Sequence, residues 1–459
     1  MRRKLSLACA GAALALSTAL SACGLGGADP ATTAAPVSQI PELKADQQVS
    51  IVFESYNFGQ AGAWTDTFNE LITKFTAAHP NIKVTPQKPQ GNSANPATDT
   101  VSSLQSQLAT GNPPDVAQLG FSELDFTVNQ LKAAPLDDLV GKDAVQKNFD
   151  GAKYPYAKTA RGLGDWSGKT YGVPFVFSTP VLYYNAALFT AASLDPAKPP
   201  TTWAEVEQAA SAIKAKTGKE GAYVDCLTKS AKDWCFQSIV RSNGGRVISE
   251  DRKTLSFADA PVVEAVTTMQ GMVRSGAMPN RTQQQGTEGF ARGDLGMIVE
   301  SSALQGTFGK GLKENLRAAA LPAFAGKPVV PTNSGASLFV FAKDQAKQRA
   351  GWELIKFLTS EEAYTVISTK IGYLPLRTEL VNDPAGLKPW ADKNPLIKPN
   401  LEQLARMEPW VSFPGDSYVQ VRDGMMSAVE NAVFQGADPK TTLQAKQDEV
   451  AKLIPGGGK

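Results

Sequence analysis

Between Val49 and Leu119 the spacing of apolar residues switches repeatedly between two periods, and this switching restricts the chain more than any other feature. Val49-Ser50-Ile51-Val52-Phe53 reads as a buried strand, whereas Trp64, Phe68, Leu71, Ile72 and Phe75 recur at helical spacing through Ala78. Pro80 closes that helix and Ile82-Lys83-Val84 resumes as a strand. Thr100 to Ala109 repeats the helical pattern, stops at Gly111-Asn112-Pro113-Pro114, and gives way to the strand Asp115-Val116-Ala117-Gln118-Leu119. A βαβαβ order predicts an α/β protein with a mostly parallel sheet and helices on both faces.

Ahead of this body stands an export leader. Arg2, Arg3 and Lys4 form a cationic start, and Leu5 to Leu20 is uncharged, small and apolar, too short and alanine-rich for an ordinary membrane span. The run closes on Leu20-Ser21-Ala22-Cys23-Gly24, which resembles the bacterial lipobox, so residues 1–22 are expected to be removed and Cys23 to carry a diacylglyceryl anchor. The Gly, Pro, Thr and Ala that follow bury too little surface to offset chain entropy, and 23–47 is expected to be a flexible lipidated tether. Such a chain would sit on the extracytoplasmic face of the cell membrane.

Roughly 400 residues remain, more than one core ordinarily serves, which suggests two lobes. Removing the leader's three cations takes the formal net charge from +2 to −1, so a nucleic-acid partner is not indicated. With Cys9 lost in the leader and Cys23 lipidated, Cys226 and Cys235 are the remaining thiols. Export favours a disulfide between them; a zinc site is not expected, because His79 is the one histidine and lies far away in sequence.

The run Phe75-Thr76-Ala77-Ala78-His79-Pro80-Asn81-Ile82-Lys83-Val84, followed by Gly111-Asn112-Pro113-Pro114-Asp115-Val116, resembles the opening lobe of the carbohydrate family 1 extracellular solute-binding proteins of bacterial ABC importers. Tyr171-Gly172-Val173-Pro174-Phe175, Ser178-Thr179-Pro180-Val181-Leu182-Tyr183-Tyr184-Asn185, Pro199-Pro200-Thr201-Thr202-Trp203, Gly335-Ala336-Ser337-Leu338 and Gly372-Tyr373-Leu374-Pro375-Leu376 are closer still to the glycerol-3-phosphate-binding branch. The resemblance implies a two-lobed periplasmic-binding-protein fold of type II with the ligand in the cleft. Its lobes would be 48–145 plus 315–365, and 146–314 plus 366–459. It also implies a monomer that needs no cofactor, captures a small solute by lobe closure and delivers it to ABC permease subunits.

The same resemblance carries ligand contacts onto Ser178 and Arg422, and onto Ser301 or Ser302 at the end of the strand Gly293 to Glu300, while Gly335 and Tyr373 are candidates on their own chemistry. The residue types suit polyols. Ser178 donates and accepts, Gly335 lets backbone approach, Tyr373 offers a flat face and a hydroxyl, and the Arg422 guanidinium meets two oxygens at once. Trp234, beside the cysteine pair, is a candidate stacking floor. Thr202 reads as a helix N-cap and Trp203 as a packing residue. The branch's first-lobe Tyr and acid have no counterpart: no Tyr lies between Tyr56 and Tyr154, and the acid is displaced to Glu123. Glycerol 3-phosphate, its phosphodiesters and neutral mono- or oligosaccharides all remain open as solutes.

Catalytic readings find little support. There is no Gly-x-Ser-x-Gly elbow, His-Glu-x-x-His helix or Walker loop. The alternative function is a surface glycosidase, which needs two carboxylates across a cleft; Glu54, Glu123 and Glu300 are available, with no spacing that pairs any two.

Overall fold

The computed structural model describes residues 39–60, 63–93 and 95–456, so the leader and Cys23 lie outside the described residues. Among the described residues eleven strands form two main sheets and a short hairpin. They are β1 (Val49–Glu54), β2 (Ile82–Gln87), β3 (Val116–Gly120), β4 (Asp165–Trp166), β5 (Lys169–Thr170), β6 (Gly172–Ser178), β7 (Pro180–Asn185), β8 (Glu220–Val224), β9 (Leu295–Ser301), β10 (Leu316–Ala319) and β11 (Ser334–Val340).

The first lobe is built on the sheet β2-β1-β3-β11-β6. β1 runs parallel to β2 from Val49↔Ile82 to Glu54↔Gln87, and parallel to β3. Helices Ala63–Ala78 and Thr100–Ala109 make the crossovers, and the first of them buries Phe68, Leu71 and Phe75 completely. At about 1.5–3 kcal/mol for each large apolar side chain, that stripe is what fixes the helix to the sheet. The βαβαβ order is therefore present. The sheet, however, is mixed rather than mostly parallel, because β11 runs antiparallel to both β3 and β6. These two strands are the traffic between lobes: β6 leaves the first lobe and β11 returns to it.

The second lobe is built on β10-β7-β9-β8, with β8 parallel to β9 and the other pairs antiparallel. Thr179 alone separates β6 in one sheet from β7 in the other. Pro180, which has no N–H to give, takes the first position of β7, where a strand tolerates it. Thr202 caps helix Trp203–Thr217 in a reciprocal box with Glu205, and Trp203 is buried against the core. Cys226 and Cys235 are joined by a disulfide, their Cα atoms 4.8 Å apart.

Several segments lie across the boundaries expected from sequence. Residues 146–178 go with the first lobe: Phe149, Tyr154 and Tyr156 are buried in its core and β6 is in its sheet. Residues 366–407 do the same through Ile371, Leu374, Leu376, Leu380 and Met407, whereas β10 belongs to the second sheet. Arg377 is one physical reason. Buried below Tyr156 (4.7 Å to the ring centroid), it donates to the carbonyls of Thr359 (3.0 Å), Tyr154 (2.7 Å) and Asn148 (2.7 Å). Ile40, expected to lie in the tether, packs on the first lobe instead. It is buried, its N–H donates to the Leu139 carbonyl (2.8 Å), and its carbonyl accepts from Arg349 (2.6 Å). Among the described residues no helix is long and apolar enough to cross a membrane.

Candidate functional site

Where the chain crosses between lobes, several of the expected site residues converge. Ser178 is the last residue of β6, so it belongs to the first-lobe sheet and not to a second-lobe strand. The Ser301 hydroxyl donates to the Ser178 hydroxyl at 2.8 Å and accepts from the Ala303 N–H at 3.2 Å, which caps the turn after β9. Ser302 is buried: its N–H donates to the Thr179 carbonyl (3.0 Å), its carbonyl accepts from Tyr183 (3.0 Å), and its hydroxyl has no partner. Ser334 and Gly335 stand opposite Ser178 and Phe177 in the β11–β6 ladder. Gly335 has φ of +130°, and a Cβ there would lie 2.0 Å from the Val176 carbonyl oxygen. The glycine is thus required by the neighbouring strand itself.

Tyr373 follows at the same crossing, since the Leu374 N–H donates to the Phe177 carbonyl at 3.1 Å. It packs edge-to-face on Trp64 with ring centroids 5.0 Å apart. Burial, together with the adjacent Tyr56 phenol, pushes its hydroxyl well above the ordinary phenol range. Trp234 opens helix Trp234–Ser242, is buried, and receives a hydrogen bond from the Thr332 hydroxyl on its carbonyl.

A cavity of about 290 Å³ lies between the lobes, and its walls are made by other residues than these. The first lobe lines it with Thr98, Ser102, Gln105 and Glu123, the second with Lys232, Tyr418 and Arg422. Of the expected site residues, Arg422 lines it; Ser178, Trp234, Ser301, Ser302, Gly335 and Tyr373 do not. Arg422 lies within the helix Tyr418–Gln435, not ahead of it, and is 9% exposed.

The polar wiring of this cavity is asymmetric. Arg422 spends Nε and Nη2 on one oxygen of Asp423, at 3.0 and 2.9 Å, while Nη1 makes no hydrogen bond among the described residues. Burial opposes its charge, but Asp233, Asp423 and Glu123 outweigh burial and hold its pKa above the usual guanidinium value. The Tyr418 hydroxyl, on the same helix face, is buried without a partner among the described residues. Burial keeps it protonated, well above the ordinary phenol range, so it remains an O–H donor. Lys232 is different: it crosses the cleft to the Glu123 carboxylate (3.0 Å) and the Ala97 carbonyl (3.1 Å). Arg252 to Asp125 (3.1 Å) and Gln130 to Asp416 (2.6 Å) also bridge the lobes.

The three carboxylates considered for glycosidase chemistry are separately engaged. Glu54 accepts from Gln87, Gln107 and Ser103 inside the first lobe, Glu123 is held by Lys232 and the Gly120 N–H, and Glu300 is buried behind Ser301. Lys232 and Tyr418 were not singled out from sequence. Tyr418 had a signal, its i,i+4 spacing to Arg422; Lys232 had none, its partner Glu123 lying over a hundred positions away.

A family profile described as bacterial extracellular solute-binding protein matches residues 70–399. The chain belongs to that family. Among curated members, the sn-glycerol-3-phosphate-binding periplasmic protein UgpB of Escherichia coli is 26% identical over 363 residues, covering 76% of this chain and 79% of UgpB. Among solved structures, this solute-binding protein superposes on UgpB of Mycobacterium tuberculosis in complex with glycerophosphocholine with a TM-score of 0.75 at 22% identity, covering 88% and 98% of the two chains. Maltose-bound MalE3 of T. maritima gives 0.74 at 19% identity, covering 88% and 100%. The two-lobed α/β architecture is thus that of periplasmic solute-binding proteins.

Proposed function

We propose that this solute-binding protein takes up a small glycerol-phosphate-type solute, sn-glycerol 3-phosphate or one of its phosphodiesters, by closure of its lobes. The observation that carries the reading is the pair of unspent donors on one wall of the inter-lobe cavity, Arg422 Nη1 and Tyr418 Oη. A guanidinium edge with a phenol O–H beside it suits a phosphate or phosphodiester oxygen pair. The neutral hydroxyl and amide groups of Thr98, Ser102 and Gln105 opposite suit a glycerol moiety. A volume near 290 Å³ is at the low end for ligand pockets and favours a solute of this size over an oligosaccharide. The relatives named for glycerol-3-phosphate binding support the same choice. Ser178, Ser301 or Ser302, Gly335, Tyr373 and Trp234 would frame the cleft around the crossing strands.

In this reading the loaded protein docks on the permease subunits of an ABC importer while a diacyl anchor at Cys23 holds it to the outer face of the membrane. Two acyl chains are needed, since one gives only marginal retention. Replacing Cys23 with Ser is expected to release processed protein from the membrane fraction.

The deciding experiment is a thermal-shift and calorimetric comparison of the lipid-free protein with sn-glycerol 3-phosphate, glycerophosphocholine, inorganic phosphate, glucose and maltose. A solute at a hundred times its Kd stabilises the native state by about 2.7 kcal/mol. Binding of a glycerol phosphate without turnover is expected; a shift with maltose or glucose alone replaces the solute class, and release of hydrolysed product restores the glycosidase.

A further inference from the structure

The second lobe buries two carboxyl groups side by side with no cation against them. β8 and β9 run parallel in the register Val224↔Val299, so the next residue of each, Asp225 and Glu300, stands beside the other at the strands' C-terminal ends. Asp225 is 1% exposed and Glu300 4%. Gln283 donates to Asp225 Oδ2 at 2.8 Å, and the Ser301 N–H donates to Glu300 Oε1 at 2.6 Å. The other oxygen of each, Asp225 Oδ1 and Glu300 Oε2, is buried with no hydrogen-bond donor among the described residues. Among the described residues the groups that face the pair are Tyr183 from β7, Tyr223 from β8 and Gln283 from helix Gln283–Ala291. None is cationic.

Two adjacent carboxylates cannot both stay ionised in such a place, because burial and mutual repulsion both oppose the second charge. One proton set between the two unmet oxygens removes a charge and turns two orphaned acceptors into a single O–H···O bond. Burial, then the neighbouring Asp225, pushes the Glu300 carboxyl well above the carboxylate range, and burial also raises Asp225.

We propose that Asp225 and Glu300 hold one proton between them in the folded protein, and that Glu300 thereby acts as a positioning residue for Ser301. The remaining Glu300 oxygen fixes the Ser301 N–H, while the Ser301 hydroxyl is spent on Ser178 and on the cap of the following turn. Loss of the shared proton would drive the two carboxylates apart and tilt the turn that carries Ser301 and Ser302 at the lobe crossing. That this turn meets the solute rests on the function proposed above.

The sign of the pH effect follows from linkage. A carboxyl whose folded pKa is raised binds more proton in the native state than in the unfolded chain, so it subtracts stability as pH rises from the unfolded value, about 4.5, toward the folded one. Each extra native proton lowers the folding equilibrium constant up to about tenfold per pH unit in that window. Urea unfolding of the mature chain at successive pH values is expected to show a shallower decline in Glu300→Gln than in wild type, because the amide donates to Asp225 without titrating. Asp225→Asn is the second variant should Glu300→Gln fail to fold. In parallel, the Ser301 amide resonance is expected to titrate across the same window in wild type and to stay fixed in the variant. Equal pH slopes in wild type and variant would overturn the shared proton; a Ser301 resonance that does not move while the slopes differ would overturn the positioning role. Neither readout uses a solute, so a failure of sn-glycerol 3-phosphate to bind counts against the proposed function and leaves this inference intact.

Discussion

Tyr418 and Arg422 stand one helical turn apart on the same face of their helix, both line the inter-lobe cavity, and each keeps a side-chain donor that no described residue takes up. Replacing Arg422 with Ala is expected to cost about 1.5–3 kcal/mol of solute binding, roughly ten- to a hundredfold in Kd, as for a lost charge-assisted hydrogen bond. Tyr418→Phe keeps the ring against Phe126, 5.4 Å away, and removes only the O–H, so a loss of about 0.5–1.5 kcal/mol is expected with little change in Tm. Arg422→Lys keeps a charge but not the fork, and should bind nearer to Ala than to wild type. Calorimetry on the three variants is the check; wild-type affinity in Arg422→Ala would remove the residue from the site.

The disulfide closes a short loop, Cys226 and Cys235 being nine positions apart in sequence. Chain-entropy reasoning gives such a loop about 2–3 kcal/mol. The double variant Cys226→Ser/Cys235→Ser is expected to lose that much unfolding free energy in urea, with an m-value no smaller than that of wild type. Two alkylatable thiols in the unreduced wild-type protein would contradict the bond.

Elements with a clear period are legible in the sequence. Val49–Phe53 and Trp64–Ala78 agree with β1 and the first helix within a residue or two, because a strand and an amphipathic helix leave different apolar spacings. The place of β6 in the first-lobe sheet is not legible, since Gly172–Ser178 is buried on both faces and carries no mark of which sheet it joins. Ile40 hid in a polar, proline-containing stretch that reads as tether, and only its pairing with Leu139 and Arg349 fixes it. Arg422 was reached through family resemblance, whereas Lys232 and Glu123 meet only because the two lobes face each other.

Arg377 is the buried cation that ties the segment after the crossing to the first lobe. Its donors go to backbone carbonyls and not to a carboxylate, so its removal leaves the acceptors of Asn148 and Tyr154 unmet in the interior. A loss of about 3 kcal/mol or more is expected for Arg377→Ala. Lys cannot present donors to three carbonyls in one plane, so Arg377→Lys should recover little of it. Urea unfolding of both variants tests this, and a Lys variant as stable as wild type would show that charge alone suffices there.

Lys232 and Glu123 make the most deeply buried of the inter-lobe ion pairs, with side chains 13% and 3% exposed. Such a pair is a poor source of net stability, since desolvating two ions offsets their attraction, but breaking it strands a charge in the interface. Lys232→Ala leaves the Glu123 carboxylate with only the Gly120 N–H at 2.8 Å. The stranded charge is relieved most easily by opening the cleft to water. The expected result is therefore a shift toward the open arrangement, read as a larger radius of gyration in solution scattering without solute, along with weaker solute binding because closure now costs more. Lys232→Met combined with Glu123→Leu removes both charges and keeps the bulk, and should return the scattering to wild type. If Lys232→Ala is as compact as wild type, the pair is not what holds these lobes together.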